Sequence, residues 1–194
     1  MVKRLKTNIN TPEEYNRMFG NRRFGIDRKE PLRAKAMLAK FTGGKFLDIG
    51  CGVATHCELA LKIEGAEVYG MDFADKLIES LKTQYPTVNY AVEDIRKMTY
   101  LNETFDYISM GEVIEHLEDP AETLKEVVRI LKTGGILAIS TPHGTSGIRT
   151  APHHHIWIFE VGELKGFLEP FGEVELNVLE ENKHHYIIAY LTKK

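Results

Sequence analysis

The sequence predicts an α/β fold, a Rossmann-like doubly wound sheet that is mostly parallel with helices on both faces. Three observations predict it. From residue 45 onward, apolar runs of strand length alternate with amphipathic stripes of helical period, and parallel strands need such helical crossovers. A glycine turn, Gly50-Cys51-Gly52, closes the first of those runs. The last two apolar runs have no helix between them, so they are expected to pair as an antiparallel hairpin at one edge.

Residues 1–40 read as a helical arm, and 41–194 as the core of the same single domain. In the arm, Thr11-Pro12-Glu13-Glu14 offers an N-cap, a proline at the first helical position and a capping-box glutamate. Pro31 starts a second helix that Gly43-Gly44 ends. Residues 45–49 make the first core strand, 54–62 a helix and 67–71 the second strand. Ala74, Leu77, Ile78 and Leu81 then recur at i, i+3, i+4 and i+7, one buried stripe. Strands follow at 88–92 and 105–110. Asp119 caps the next helix, with Pro120 first and Glu122 third. That helix is expected to bury Ala121, Leu124, Val127, Val128 and Leu131, and to stop at Gly134-Gly135. A strand at 136–141 completes the parallel set. Val161, Leu164, Leu168 and Phe171 outline a last helix, before closing strands at 174–179 and 185–191.

Composition narrows the class. With 43% hydrophobic and 27% charged residues, the 194-residue chain is an ordinary globular one. Residues 1–10 have the basic start of a secretory leader without its apolar stretch. The longest apolar runs fall far short of the roughly 20 residues that span a bilayer, and a cytoplasmic location is expected. Cys51 and Cys57 form no CxxC pair and read as reduced thiols packed in the core. Residues 1–40 hold 11 Lys/Arg against 4 Asp/Glu, and the remainder 14 against 24. Such asymmetry marks either an anion-binding arm or a solvated basic face. Outside the arm there is no basic stripe with stacking aromatics, which argues against a nucleic-acid partner.

In open α/β sheets ligands bind at the carboxyl ends of the strands, where the chemistry-bearing residues fall. The glycine turn lets a ligand approach the backbone and the next helix. Asp72, at the end of the second strand, is twenty residues past Gly52 and suits a ribose diol. Asp94 follows the third strand, placed for the edge of an adenine. A dinucleotide site would need G-x-G-x-x-G, but Thr55 stands at its final glycine. Asp48, ahead of the turn, suits the ammonium of a bound amino acid.

Taken in order, FLDIGCG, VYGMD, VEDI, FDYISMGEVIEHLEDP and LKTGGILAISTP resemble the successive motifs of the class I S-adenosylmethionine-dependent methyltransferases, over roughly residues 45–142. The resemblance implies a seven-stranded sheet whose last strand inserts antiparallel. It implies S-adenosyl-L-methionine as cofactor and S-adenosyl-L-homocysteine as product. Asp48, Gly50 and Gly52 would hold the amino-acid end and ribose, Asp72 with Phe73 the ribose diol, and Asp94 with Ile95 the adenine. Met110, Gly111 and Glu112 would line the floor. Ala54 departs from the family's frequent third glycine, a mild replacement on this reading.

The run Glu112-x-x-Glu115-His116 leaves three readings open. If helical, it sets two carboxylates and an imidazole on one face and, with His155, offers ligands to a divalent ion. A similar pattern occurs in small-RNA 2′-O-methyltransferases and, in part, in ubiquinone-pathway O-methyltransferases. Alternatively the stretch supports the cofactor pocket and caps the following helix, or His116 is a general base toward an acceptor hydroxyl. His143 and the run His153-His154-His155 lie on a long loop, 142–156, that reads as a substrate loop or lid. Tyr15, Phe19, Arg22, Arg23 and Phe24 either fold over the pocket or anchor the arm on the sheet. The sequence thus favours methylation of a small or carrier-attached acceptor, on oxygen ahead of nitrogen. The alternatives are a catalytically silent cofactor-binding subunit and a metal-assisted RNA 2′-O-methyltransferase.

Overall fold

The computed structural model describes residues 3–4, 10–19, 32–144 and 155–194. In chain order the elements are β1 (Lys3–Arg4), α1 (Pro12–Phe19), α2 (Leu32–Met37), β2 (Gly44–Ile49), α3 (Thr55–Ala60), β3 (Ala66–Asp72), α4 (Asp75–Gln84), β4 (Asn89–Val92) and β5 (Phe105–Gly111). A 3-10 turn (Ile114–His116), α5 (Pro120–Ile130), β6 (Leu131–Pro142), β7 (Trp157–Ile158), α6 (Val161–Leu168), a second 3-10 turn (Glu169–Phe171), β8 (Gly172–Glu181) and β9 (His184–Lys193) follow.

Seven strands form one sheet in the order β4-β3-β2-β5-β6-β9-β8. The first five are parallel, β9 runs antiparallel to both β6 and β8, and the expected edge hairpin is present. Its two-residue turn, Asn182-Lys183, has φ of 54° and 66°, the left-handed pair that matches the twist of hairpin strands. Winding reverses between β2 and β5, so their carboxyl ends flank the crevice where such sheets bind ligands.

Alternation along the strands supplies two cores, one per face. Leu47, Ile49, Ile108 and Met110 pack with Leu124 and Val127 of α5 and Leu164 and Leu168 of α6. Phe46 and Tyr107 pack on the other face with Met37 of α2, Cys57 and Ala60 of α3, and Leu77, Ile78 and Leu81 of α4. Each fully buried Leu or Ile contributes roughly 1.5–3 kcal/mol. Among the described residues no helix is long and apolar enough to cross a membrane.

Several boundaries differ from the sequence reading. The stretch before Gly43 is helical only to Met37; beyond it Leu38, Ala39 and Phe41 donate to carbonyls three residues back. The start expected at Pro31 lies outside the described residues. Helix α3 likewise ends at Ala60, with Lys62 and Ile63 bonded three residues back. In α5 the Asp119 carboxylate accepts from the Glu122 N–H as expected, but Ala121 is exposed, and Pro120, Thr123 and Ile130 are buried instead. With the helix starting at Pro120, the buried stripe runs through 120, 123, 124, 127 and 128, and Ala121 lies at its edge, about 100° round from Pro120 in the first turn. Helix α5 stops at Ile130, because Leu131 already pairs with Phe105 as the start of β6. The arm also contributes a strand: β1 pairs antiparallel with β7.

The β8–β9 seam has no room at Gly172, where a Cβ would stand 1.9 Å from the Thr192 carbonyl oxygen. Gly172→Ala should therefore lower stability by at least the roughly 1–3 kcal/mol of an overpacked site. Chemical denaturation of the variant beside the unmodified chain measures it; equal midpoints would contradict this packing.

Candidate functional site

The site is built where β2, β3, β5 and β6 end. Chain reversal after β2 needs a left-handed backbone, and Gly50 supplies it at φ 65°. A Cβ there would also stand 2.6 Å from Val113 Cγ2. The turn is tied down by Cys51 N–H donating to the Met71 carbonyl at 2.9 Å and Ala54 N–H to the Cys51 carbonyl at 2.7 Å. Ala54, the N-cap of α3, sits at φ 63° with no side-chain cap. A left-handed non-glycine residue costs roughly 1–2 kcal/mol, so alanine here is a strained replacement and not a mild one. Cys51 and Cys57 are both buried thiols, and burial pushes their pKa well up.

Asp72, at the end of β3, is buried and accepts from Gly52 N–H at 3.2 Å and Ala74 N–H at 3.0 Å. Burial raises its pKa in spite of those two bonds. Phe73 beside it packs on the Tyr15 ring at 4.9 Å, which brings α1 over the pocket. Asp94 is exposed and its carboxylate is held by the Arg96 guanidinium at 2.5–3.0 Å. Ile95 leans on the core. Met110 is wholly buried, its side chain in the core beneath β5.

Asp48 lies deeper than its neighbours, at 2% exposure. Register sets Asp48 of β2 directly across from Ser109 of β5. The Ser109 hydroxyl donates to Asp48 Oδ1 at 2.5 Å, and His56 Nδ1 of α3 lies 3.0 Å from the same oxygen.

Beyond β5 the backbone of Glu112 is left-handed, φ 56°. Its carboxylate takes the Ser140 hydroxyl at 3.1 Å and faces Arg33 of α2 at 3.1 Å. Desolvation, then the Glu115 charge, push the Glu112 pKa up to about 8. Glu115 is buried, and its pKa is pushed up to about 7 by desolvation. One of its oxygens accepts from Thr141 Oγ1 at 3.0 Å, while Oε1 has no hydrogen-bond partner among the described residues. His116 Nε2 lies 3.9 Å and His155 Nε2 4.0 Å from that Oε1, with the two rings 4.8 Å apart, edge to face. Ligand atoms of Glu115, His116 and His155 all fall within 4.8 Å of one another. Glu112 does not join them, because no helix runs through 112–116: the 3-10 turn covers only Ile114–His116, and Glu112 ahead of it is left-handed.

Neighbouring segments clamp this turn. Asn10 Nδ2 donates to the His116 carbonyl at 3.1 Å, Ile156 N–H to the Glu115 carbonyl at 2.7 Å, and Trp157 Nε1 to the Leu117 carbonyl at 2.7 Å. Tyr15 faces His116 across 6.4 Å. His143 sits apart, 3.3 Å from Glu160. Arg22, Arg23, Phe24, His153 and His154 lie outside the described residues, as does most of the 142–156 loop.

Arg33, His56, Ser109, Ser140 and Thr141 were not among the candidates read from sequence. Three of them carried a signal, since Ser109, Ser140 and Thr141 are polar residues near the carboxyl ends of otherwise apolar strands. Arg33 and His56 reach the site by helix docking, which leaves no local trace.

Residues 47–139 match the family described as a methyltransferase domain. The chain is 36% identical over 117 residues to a ubiquinone biosynthesis O-methyltransferase of Coxiella burnetii, covering 57% of this chain and 50% of that protein. It is 31% identical over 98 residues to a demethylmenaquinone methyltransferase of Chlorobaculum parvum, covering 50% and 41%. The chain thus spans about half the length of the curated relatives it matches. Among solved structures, a SAM-dependent methyltransferase from Aquifex aeolicus superposes with a TM-score of 0.70 at 20% identity, covering 94% of this chain and 98% of that one. Phosphoethanolamine N-methyltransferase 2 of Haemonchus contortus, in complex with phosphomonomethylethanolamine and S-adenosylhomocysteine, gives 0.71 at 19% identity, covering 94% and 56%. At such identities the two structures speak to the fold.

Because the folded chain keeps a proton on Glu112 that the unfolded chain releases above about 4.5, that residue's contribution to stability is present at low pH and lost as pH rises toward about 8. Glu112→Gln cannot ionise. Its thermal midpoint should therefore gain on that of the unmodified chain as pH is raised through this window, and parallel curves would refute the assignment.

Proposed function

We propose that this chain, which belongs to the class I S-adenosylmethionine-dependent methyltransferases, transfers the methyl group of S-adenosyl-L-methionine to a hydroxyl of a small or carrier-attached acceptor. The observation that carries the acceptor half of this reading is the group of buried Glu115 with half-buried His116 and His155.

The residues at the strand ends fit the cofactor. Above Gly52 there is open space, since a Cβ would meet nothing nearer than the Gly50 carbonyl oxygen at 3.8 Å. Asp72 is a buried acid whose oxygens each take one backbone N–H and keep a further lone pair for a hydroxyl. Asp72 with Phe73 would hold the ribose. Gly50 and Gly52, backed by Asp48, would take the amino-acid end. Asp94, held by Arg96, and Ile95 would take the adenine, with Glu112 and the backbone of Met110 at the floor. Bound there, the sulfonium supplies an electrophilic methyl group.

The chain's own part is to orient the acceptor, exclude water and remove a proton. Near-attack alignment in a dry pocket supplies most of the rate of such a displacement. Tyr15 of α1 faces the His116 ring and Trp157 of β7 bonds to the Leu117 carbonyl, and these contacts would help to orient the acceptor and exclude water. As its oxygen takes the methyl group, the carbon–sulfur bond breaking to leave the neutral thioether of S-adenosylhomocysteine, an acceptor hydroxyl would give its proton to His116. Glu115, 3.9 Å away, would then stabilise the imidazolium.

One observation favours a second reading, a divalent ion bound by Glu115, His116 and His155. Oε1 of Glu115 is buried with no hydrogen-bond partner among the described residues, and an oxygen flanked by two imidazoles is a ligand set that such an ion accepts. The ion would lower the acceptor hydroxyl's pKa in place of a base.

Asp72→Ala should weaken S-adenosylhomocysteine binding at least tenfold by isothermal titration, and an unchanged affinity would place the ribose elsewhere. A screen of hydroxyl, amine and carboxylate acceptors, read as S-adenosylhomocysteine released, tests turnover. Binding without turnover on any of them would point to a silent cofactor-binding subunit. For the ion, titration with Mn²⁺ should give a site that Glu115→Gln abolishes. Full activity after chelation would dismiss it.

A further inference from the structure

A buried acid network runs beneath the glycine turn, and only one of its members reaches the crevice. Asp48 and Ser109 are opposed in register on the face that α3 covers. The Asp48 carboxylate is fully committed there. Oδ1 takes Ser109 Oγ at 2.5 Å and His56 Nδ1 at 3.0 Å, and Oδ2 has the Cys57 thiol at 3.8 Å. Its side chain is 3% exposed, against 14% for His56. The His56 ring reaches across the end of β5, its Cε1 2.6 Å and Nε2 3.5 Å from where a Cβ on Gly111 would stand. Gly111 is thus the vacancy that lets the ring lie over the junction of β2 and β5, between Asp48 and the crevice.

We propose that His56, and not Asp48, is the side chain that meets the amino-acid end of the cofactor. The inference rests on the cofactor reading above and names the residue behind one part of it. With Nδ1–H donated to the Asp48 carboxylate, the opposite nitrogen carries a lone pair. Among the described residues Nε2 has no hydrogen-bond partner, so it is available to accept from the α-ammonium of a bound amino acid. Asp48 and Ser109 act through the ring as positioning residues, fixing which nitrogen is the acceptor and where it stands. A carboxylate hydrogen-bonded to a metal-bound histidine orients it by the same logic.

Two probes separate this contact from a structural role. S-Adenosylhomocysteine has the amino-acid end, and 5′-methylthioadenosine lacks it while keeping ribose and adenine. By isothermal titration, His56→Leu should bind S-adenosylhomocysteine at least tenfold more weakly and 5′-methylthioadenosine within twofold of the unmodified chain. Gly111→Ala, which drives the ring from its place without altering it, should show the same selective loss, and covers the case in which His56→Leu fails to fold. Asp48→Asn should fall between, since the amide still binds the ring but no longer imposes the tautomer. Equal weakening of both probes in the variants would make His56 structural and overturn the proposal, as would unchanged affinity for both. If the unmodified chain binds neither probe, the cofactor reading itself fails, a result distinct from the other two.

Discussion

The junction between β2 and β5 is the constraint on which the rest of this protein depends. Parallel strands joined by right-handed crossovers must reverse their winding once if helices are to cover both faces. That reversal leaves the carboxyl ends of two neighbouring strands without a crossover between them. A crevice results, and each chemical feature of the chain sits on its rim or beneath it. The price of the reversal appears in the backbone: Gly50, Ala54 and Glu112 are all left-handed, at φ 65°, 63° and 56°. Two of these are not glycine, and strain of that kind gathers at functional sites.

Beneath the crevice the same junction buries charge. Asp48, Asp72 and Glu115 are each at most 5% exposed. An isolated buried carboxylate would cost far more than the fold can spare. Each has a different answer. Asp48 is held by Ser109 and His56 across the sheet, and Asp72 by two backbone N–H groups of its own turn and the glycine loop. Glu115 has one hydroxyl from Thr141 and, among the described residues, one oxygen left over, and burial raises its pKa. The least satisfied acid is therefore the one beside two imidazoles.

Above the crevice, pieces distant in sequence are drawn together. Strand β1 pairs with β7, joining the arm to the segment after β6, and both segments bond to the turn at 114–117 through Asn10, Ile156 and Trp157. Arg33 of α2 reaches Glu112 from the side, over the Tyr186 ring at 4.5 Å. The surroundings of Glu112, Glu115 and His116 are thus assembled from five separate stretches of chain, whereas the glycine turn and the acids of β2 and β3 belong to one βαβ unit.

That division explains what could be read in advance. The sequence by itself determined the alternation of strands and helices, the closing hairpin, the glycine turn and the acids behind it. These follow from side-chain periodicity and from local backbone demands, which act over a few residues. Helix ends were less legible: α2 and α5 stop early because 3-10 turns and the pairing of Leu131 with Phe105 compete with helix propensity. Only the tertiary structure decided that Glu112 stands apart from Glu115 and His116, that Arg33 and His56 enter the site, and that Asp48 lies under a histidine ring. Those outcomes depend on strand register and helix docking, where contacts form between residues tens of positions apart and no local pattern records them.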